Sequence, residues 1–149
     1  MSSIHFTVYG KAEPAGSKRG FAYKRKGGGT GVAISDANPK SRGWKNAVAA
    51  AAFEAFGKRE LLRGPLAVSF VFFQTRPRSH YRTGHNHQVL KASAPKYPTG
   101  RPDVLKLSRA VEDALTGIVW HDDSQIVNEK LFKRYADQAC VEIYVEKLT

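Results

Sequence analysis

Residues 66–73 (Leu-Ala-Val-Ser-Phe-Val-Phe-Phe) constrain the fold of this chain more than any other segment. The segment is almost entirely apolar and rich in β-branched and aromatic residues, which is typical of a strand buried in the middle of a sheet. Such a strand needs partners on both of its edges and a cover of further elements on at least one face. The other segments of the chain must therefore supply neighbouring strands and helices that pack on them.

Alternating and helical patterns elsewhere supply those elements. Strands are predicted over residues 4–9, 124–134 and 139–145, where apolar and polar residues alternate. Residues 21–26 and 31–35 flank a glycine-rich run and are predicted to form a hairpin. Helices are predicted over the alanine-rich residues 41–56, which Gly57 follows, and over residues 103–116, between Pro102 and Gly117. Since helices and strands do not alternate strictly, the sequence predicts one α+β domain over residues 1–149, with a mixed β-sheet packed against two main helices.

Residues 74–100 show no periodic pattern and include Pro77, Pro95 and Pro98. A structureless connection of this length is uncommon inside a compact domain. The segment is therefore predicted either to be disordered or to be a functional loop that becomes ordered on a partner. His85-Asn86-His87 within it is most simply part of a solvated loop, because a zinc site would need further ligands.

The charge of the chain indicates the class of its partner. Lys and Arg total 24 against 13 Asp and Glu, which gives a net charge of +11. In a folded domain, this excess predicts a polyanion, and the clustering of the positive residues favours nucleic acid over a merely soluble cationic surface. Candidate phosphate contacts are Lys18, Arg19, Lys24, Arg25 and Lys26 in the N-terminal hairpin, and Arg76, Arg78 and Arg82 in the long loop. Phe21, Tyr23 and Tyr81 lie among them and are expected either to stack on unpaired bases or to pack.

Membrane proteins and disulfide-based scaffolds are not indicated. Every apolar run falls short of the roughly 18 residues that a membrane span needs, and the N-terminus lacks the layout of a signal peptide. Cys140 is the single cysteine, so no internal disulfide can form, and we expect a reducing, cytoplasmic location. Cys140 lies in an alternating segment and is predicted to be a packed thiol rather than a nucleophile.

Carboxylates are scarce in this basic chain, so their positions are informative. Asp103 begins the second predicted helix, and Asp122 and Asp123 stand together just before a predicted strand. One helix and a short loop separate these points, so the chain can fold back and bring them together. Mg²⁺ is typically held by one or two carboxylates together with phosphate oxygens, and a bound metal activates water. The structural alternative is that Asp103 caps the helix while Asp122 and Asp123 form a turn.

Two motifs in this region carry a family resemblance. Residues 101–117 read Arg-Pro-Asp-Val-Leu-Lys-Leu-Ser-Arg-Ala-Val-Glu-Asp-Ala-Leu-Thr-Gly, and residues 119–127 read Val-Trp-His-Asp-Asp-Ser-Gln-Ile-Val. They resemble the signature of the RusA family of Holliday junction resolvases, which are homodimeric crossover junction endodeoxyribonucleases often carried by phages and prophages. The resemblance implies an enzyme that uses Mg²⁺, with Mn²⁺ as a substitute, to make paired phosphodiester cuts in branched double-stranded DNA. For a phage-encoded member, it implies the cytoplasm of a bacterial host.

The resemblance also assigns roles to individual residues. By position, Asp103 matches the first catalytic and metal-binding carboxylate, and Asp123 matches the later one, with Asp122 beside it as a further metal ligand. Arg109 takes the place of a catalytic lysine; it can neutralise developing charge but cannot readily donate a proton. Leu105 stands where the family has its second motif aspartate, so this chain departs from the pattern at a metal ligand.

The missing carboxylate leaves two functions open. Asp122, Asp113 or Glu112 can supply a substitute, and Glu112 lies seven residues after Leu105 on the same polar face of the predicted helix. The chain is then a structure-specific endonuclease. Otherwise it is a non-catalytic or weakly catalytic protein that binds branched DNA. An RNA-binding domain is a third interpretation, but the chain lacks the loop signature that such a domain needs.

Overall fold

A computed structural model of the protein describes residues 3–16 and 18–149, with their side chains except at positions 18, 19, 35 and 36. Its strands and long helices are β1 (Ser3–Tyr9), β2 (Lys18–Lys24), β3 (Thr30–Asp36), α1 (Ser41–Phe56), β4 (Leu66–Gln74), α2 (Val104–Leu115), β5 (Ile126–Tyr135) and β6 (Cys140–Lys147). Single 3₁₀ turns occupy Arg78–His80, Gly84–Asn86 and Asp123–Gln125. The predicted strands and helices are thus present, with ends that differ by a few residues.

Four of the strands form one mixed sheet in the order β1-β6-β4-β5. Strand β4 lies inside this sheet, since it pairs antiparallel with β6 and parallel with β5. This confirms that the most apolar segment of the chain is a central strand. A parallel pair requires a long crossover connection, and the segment that contains α2 provides it. The predicted α+β class with a mixed sheet and two main helices is confirmed.

The helices cover one face of this sheet. Along β4, Leu66, Val68, Phe70 and Phe72 are buried, whereas the side chains between them are half-buried. Helix α2 packs against α1 and against β5, and α1 also packs against β1. The buried apolar residues of α2 are Leu107, Ala110, Val111, Ala114 and Leu115. Their spacing is that of one helical face, so the opposite face of α2 is left toward solvent.

Strands β2 and β3 form a separate antiparallel ribbon. The turn at its tip is closed by a hydrogen bond of 3.0 Å from the Arg25 N–H to the Gly29 carbonyl oxygen. Gly28 and Gly29 have φ angles of 98° and 83°, a left-handed conformation that glycine adopts at little steric cost. The two strands are therefore joined by a glycine-rich turn, as the predicted hairpin required.

Residues 75–100, which we call the 75–100 lobe, have a defined structure. A β-bridge joins Tyr81 to Leu90. Next to it, the Arg82 N–H donates to the Val89 carbonyl at 2.8 Å and the Lys91 N–H donates to the His80 carbonyl at 2.9 Å. The lobe is therefore a folded part of the domain, and the alternative of a disordered connection is wrong.

Two smaller predictions concern the membrane and the cysteine. None of the helices in the described part of the chain combines the length and the apolar character needed to cross a bilayer. Cys140 is half-buried at the start of β6, and burial, followed by the charge of Glu142, raises the pKa of its thiol. A raised pKa disfavours the reactive thiolate, which agrees with a packed thiol.

Candidate metal centre and nucleic-acid interface

Five carboxylates gather around the C-terminal end of α2. Glu112 and Asp113 lie in the last turn of this helix, Asp122 and Asp123 lie in the turn that follows it, and Glu129 lies on β5. The pKa of Asp123 is raised, first by burial and then by hydrogen bonding and charge from Asp122 and by the charge of Asp113. The neighbouring negative charges of Asp122 and Asp113 therefore oppose the ionisation of Asp123.

Glu129 reaches this group from β5, with its side chain exposed at the edge of the helix. It pairs in register with Val68 of β4, whose buried side chain faces the helices. Its Oε1 accepts a hydrogen bond of 2.6 Å from the Ser108 hydroxyl of α2. Burial raises the pKa of Glu112 to about 7, helped by the charge of Glu129 and a hydrogen bond to it. Glu112 therefore holds its proton more strongly than an ordinary glutamate does.

The turn that carries Asp122 and Asp123 is fixed by reciprocal hydrogen bonds. The Asp122 carboxylate accepts from the Ser124 N–H at 2.8 Å, and the Gln125 side-chain oxygen accepts from the Asp122 N–H at 3.0 Å. Gln125 also donates to the Leu62 carbonyl at 2.9 Å, which ties the turn to the segment before β4. The bonds from Ser124 lower the pKa of Asp122. Asp122 thus has the turn-forming role of the structural alternative, and it holds Asp123 in place.

Asp103 lies at the opposite end of α2. It occupies the N-cap position, yet its exposed side chain makes no capping hydrogen bond. Nine residues separate it from Glu112, which is about 13 Å along a helix axis. Its carboxylate is not among the groups that shift the pKa of Asp123 or Glu112. Asp122 and Asp123 thus lie side by side in one turn, whereas Asp103 lies at the other end of α2 from Glu112 and Asp113.

The face of α2 between these two ends points to solvent. Leu105 is 67% exposed, and Arg109 is exposed one turn further along. Leu105, Arg109 and Glu112 are spaced at i, i+4 and i+7, so they form one stripe that ends at the carboxylates. The stripe presents an apolar side chain where a metal ligand was expected, followed by a fixed positive charge.

The carboxylates suit a hard divalent cation in chemistry, although they form no complete cage. Among residues 3–16 and 18–149, no three His, Cys, Asp or Glu side chains are arranged to hold a metal ion. Mg²⁺, however, is usually bound by one or two carboxylates, with phosphate oxygens and water completing its shell. Burial and neighbouring carboxylates raise the pKa of Glu112 and of Asp123, although Lys45 pairs with Asp113 at 3.1 Å. The residues fit a cation that is shared with a phosphate group.

Glu129 is the site residue that sequence reasoning missed. Glu129 is an exposed residue of β5, so the rule that buried acids need a partner did not mark it. Glu129 and Leu131 share one side of β5, at positions that pair with Val68 and Phe70 of β4. The scarcity of acids in the chain was the one signal that could have drawn attention to it.

Most of the side chains predicted to contact phosphate are exposed on the surface, whereas one packs against its neighbours. Lys24, Arg25 and Lys26 are exposed at the tip of the β2–β3 ribbon, and Arg78 and Arg82 are exposed in the 75–100 lobe. The side chains of Lys18 and Arg19 lie outside the described residues. These exposed cations form two patches, one on the ribbon and one on the lobe.

Arg76 has a different environment. Its guanidinium lies 4.3 Å from the centroid of the Tyr135 ring and donates a hydrogen bond of 2.7 Å to the Pro95 carbonyl. It therefore fastens the start of the lobe to its end and to β5, as well as carrying a charge.

The aromatic residues that lie among these cations differ in how much of their ring surface is exposed for stacking. Phe21 is 53% exposed and Tyr23 is 47% exposed, so both leave ring surface open on the ribbon. The Tyr23 ring lies over Gly31, where an added Cβ would come within 2.5 Å of it. Tyr81 is half-buried in the 75–100 lobe.

The raised pKa of Glu112 predicts a pH-dependent stability. We expect Glu112→Gln to raise the melting temperature of the metal-free protein at pH 8 and to leave it nearly unchanged at pH 5. Folding raises the pKa of Glu112 from 4.5 to about 7, so the folded state binds the extra proton in this window and wild-type stability falls as pH rises through it. Gln cannot ionise and avoids this loss.

Thermal unfolding in EDTA at the two pH values measures the effect. Glu54→Gln is the matched control, since Glu54 is an exposed glutamate on α1. An equal change of melting temperature at both pH values in the Glu112 variant would contradict the assigned environment.

Comparisons with known proteins agree with this picture. The model of the family described as endodeoxyribonuclease RusA matches residues 12–146. YqaN, an uncharacterized protein of Bacillus subtilis (strain 168), is 30% identical over 152 aligned residues, which cover 100% of this chain and 99% of YqaN. The family match contains α2, the Asp122-Asp123 turn and the long lobe, so it includes the whole acidic site. The chain belongs to the RusA family of endodeoxyribonucleases.

Proposed function

We propose that this protein is a divalent-metal-dependent endonuclease that resolves four-way (Holliday) DNA junctions by paired hydrolysis of phosphodiester bonds. The observation that carries the proposal is the family match over residues 12–146, which contains a carboxylate group in a chain of net charge +11. The positive surface attracts the polyanionic substrate. The carboxylates then bind a cation at a defined place on the protein, and the cation in turn positions one phosphate.

We assign the cation as Mg²⁺, with Mn²⁺ as a substitute. Asp123 is its central ligand, with Asp122 beside it, and Glu112 and Glu129 supply the acidic oxygens that are missing at Leu105. Asp103 keeps its proposed role as a metal ligand. Because the helix holds the two ends of α2 apart, this role requires that a second subunit or the phosphate oxygens of the bound DNA supply further ligands beside Asp103. When bound, the metal would activate a water molecule and neutralise charge on the scissile phosphate.

The remaining chemistry falls to side chains of the protein. Arg109 lies exposed on the stripe that leads to Glu112, and its permanent charge suits it to hold a phosphate oxygen rather than to transfer a proton. The Ser124 and Gln125 hydrogen bonds keep the Asp123 turn in one conformation, so the acidic oxygens are oriented before the substrate binds.

The junction itself would be held by the exposed cations. Lys24, Arg25 and Lys26 on the ribbon, with Lys18 and Arg19 at its start, and Arg76, Arg78 and Arg82 in the lobe are the proposed phosphate contacts. Binding should weaken steeply as salt concentration rises, because each such contact releases counterions. Paired cuts need two identical sites, which a two-fold homodimer presents. We place this activity in the cytoplasm, where the enzyme would meet branched DNA.

A second candidate function is branched-DNA binding with little or no cleavage. The exposed Leu105 and the absence of a three-ligand cage among the described residues favour it. The two candidates share the substrate and differ only in whether the carboxylates around Asp123 complete a working metal site.

Cleavage of a synthetic four-way junction separates these possibilities. We expect paired nicks in Mg²⁺ or Mn²⁺, none in EDTA, and few in a linear duplex of the same sequence. Tight junction binding without nicks in either metal would assign the chain to the second candidate. Equal binding to junction and duplex, without nicks, would contradict both.

A further inference from the structure

A cleft lies where the 75–100 lobe meets the end of β5. It is lined by three tyrosines and three cations, namely Tyr81, Tyr97, Tyr135, Arg76, Lys96 and Arg134. Its volume is about 460 Å³, within the range of cavities that bind small organic ligands. None of the carboxylates of the proposed metal site lines it, so it is a separate feature of the surface.

The charged groups of the cleft lie against its aromatic rings. Lys96 Nζ is 5.5 Å and Arg134 Cζ is 5.4 Å from the centroid of the Tyr97 ring. Arg134 also lies 5.0 Å from the Phe132 ring. Tyr97 remains 47% exposed, so part of its ring is open to a ligand. Lys96 and Arg134 lie over the Tyr97 ring, so a base that stacks on it displaces at least one of them toward the adjoining phosphates, which that side chain then neutralises.

The cleft is connected to the N-terminal end of α2. Arg76 lines the cleft and also an adjoining depression that Arg101 and Pro102 line. Arg101 and Pro102 in turn line a third depression, which contains Asp103 and Lys106. The shared residues make one path over the surface from Tyr97 to Asp103.

We infer that this cleft binds an unpaired DNA base next to the branch point, with the base stacked on Tyr97 and its neighbouring phosphates held by Lys96 and Arg134. The inference relies on the proposed function for the origin of the strand, whereas the recognition chemistry is that of single-stranded DNA. Gln88 and Asp137, which also line the cleft, offer hydrogen-bonding groups to base edges. A free phosphate would use the cations alone, whereas a nucleotide would use the aromatic walls as well, so the lining of the cleft favours a nucleotide.

The test measures binding of three labelled DNA probes to the full-length protein without divalent metal. The probes are a short oligothymidylate, a four-way junction and a linear duplex. We expect Tyr97→Ala to weaken binding of the oligothymidylate and of the junction about tenfold, the effect of losing one stacked base, and to leave duplex binding unchanged. Tyr97→Phe should bind like the wild type, because the ring and not the hydroxyl makes the stack.

Tyr144→Ala is the matched control, because Tyr144 is a partly exposed tyrosine that stacks on His5 and lies outside the cleft. The inference is overturned if Tyr97→Ala binds all three probes as Tyr144→Ala does, or if it weakens duplex binding equally. Failure of the proposed function would instead be seen in the cleavage assay. If the wild type cut no junction but bound the oligothymidylate through Tyr97, the cleft assignment would stand alone.

Discussion

Asp123→Asn is expected to lower metal-dependent cleavage of a four-way junction by at least about a hundredfold while the protein stays folded. Loss of a group that merely supports a metal ligand typically costs about 10- to 100-fold in metal affinity or activity, so loss of the central ligand should cost no less. Asp123 is exposed, and asparagine keeps its size, so the core is not disturbed. Single-turnover cleavage in excess Mg²⁺ and a thermal melt of the same preparation measure the two quantities.

Two further variants make this result specific. Glu54→Gln removes a negative charge from the exposed surface of α1 and should cleave like the wild type. Asp103→Asn tests the other end of α2. If both aspartate variants lose cleavage, the carboxylates at both ends of α2 are needed for the reaction. Full cleavage by Asp123→Asn would show that the carboxylates at the end of α2 do not hold the metal.

The parts of the fold that sequence patterns predicted are those with regular burial. Strand β4 and the buried face of α2 follow simple periods, because each has one environment along its whole length. The side of the sheet on which Glu129 lies was harder to predict. The pairing of β4 with β5 shifts register between Leu66 and Ala67. Such an irregularity exchanges the two faces of the strand, so the face of Glu129 cannot be inferred from Ile126.

The 75–100 lobe resisted prediction for another reason. Its structure depends on single contacts between distant residues, such as the Arg76 guanidinium on the Tyr135 ring and its hydrogen bond to Pro95. These contacts leave no period in the sequence. The family motifs located Asp122 and Asp123, but the meeting of Glu112 with Glu129 is a tertiary contact between a helix and a strand. Only the packing of α2 on β5 reveals it.

Trp120→Ala is expected to destabilise the protein by about 3–5 kcal/mol, the usual cost of removing a large aromatic side chain from a core. Trp120 is fully buried, and its indole Nε1–H donates to the Thr116 hydroxyl at 3.1 Å. Its carbonyl accepts from the Gly117 N–H at 2.8 Å, directly before the turn that carries Asp123. Urea unfolding at fixed pH measures the loss of stability. The substitution should also displace the acidic turn.

The two tryptophans allow a finer test with phenylalanine. Trp44 is nearly as buried, but its Nε1 has no hydrogen-bond partner among the described residues. Trp120→Phe removes a satisfied donor and leaves the Thr116 hydroxyl without it, whereas Trp44→Phe removes a donor whose burial was already unfavourable. We therefore expect Trp120→Phe to cost more stability than Trp44→Phe, and to lower junction cleavage where Trp44→Phe does not. The reverse order of stability would mean that packing volume, and not the indole hydrogen bond, fixes the chain before Asp123.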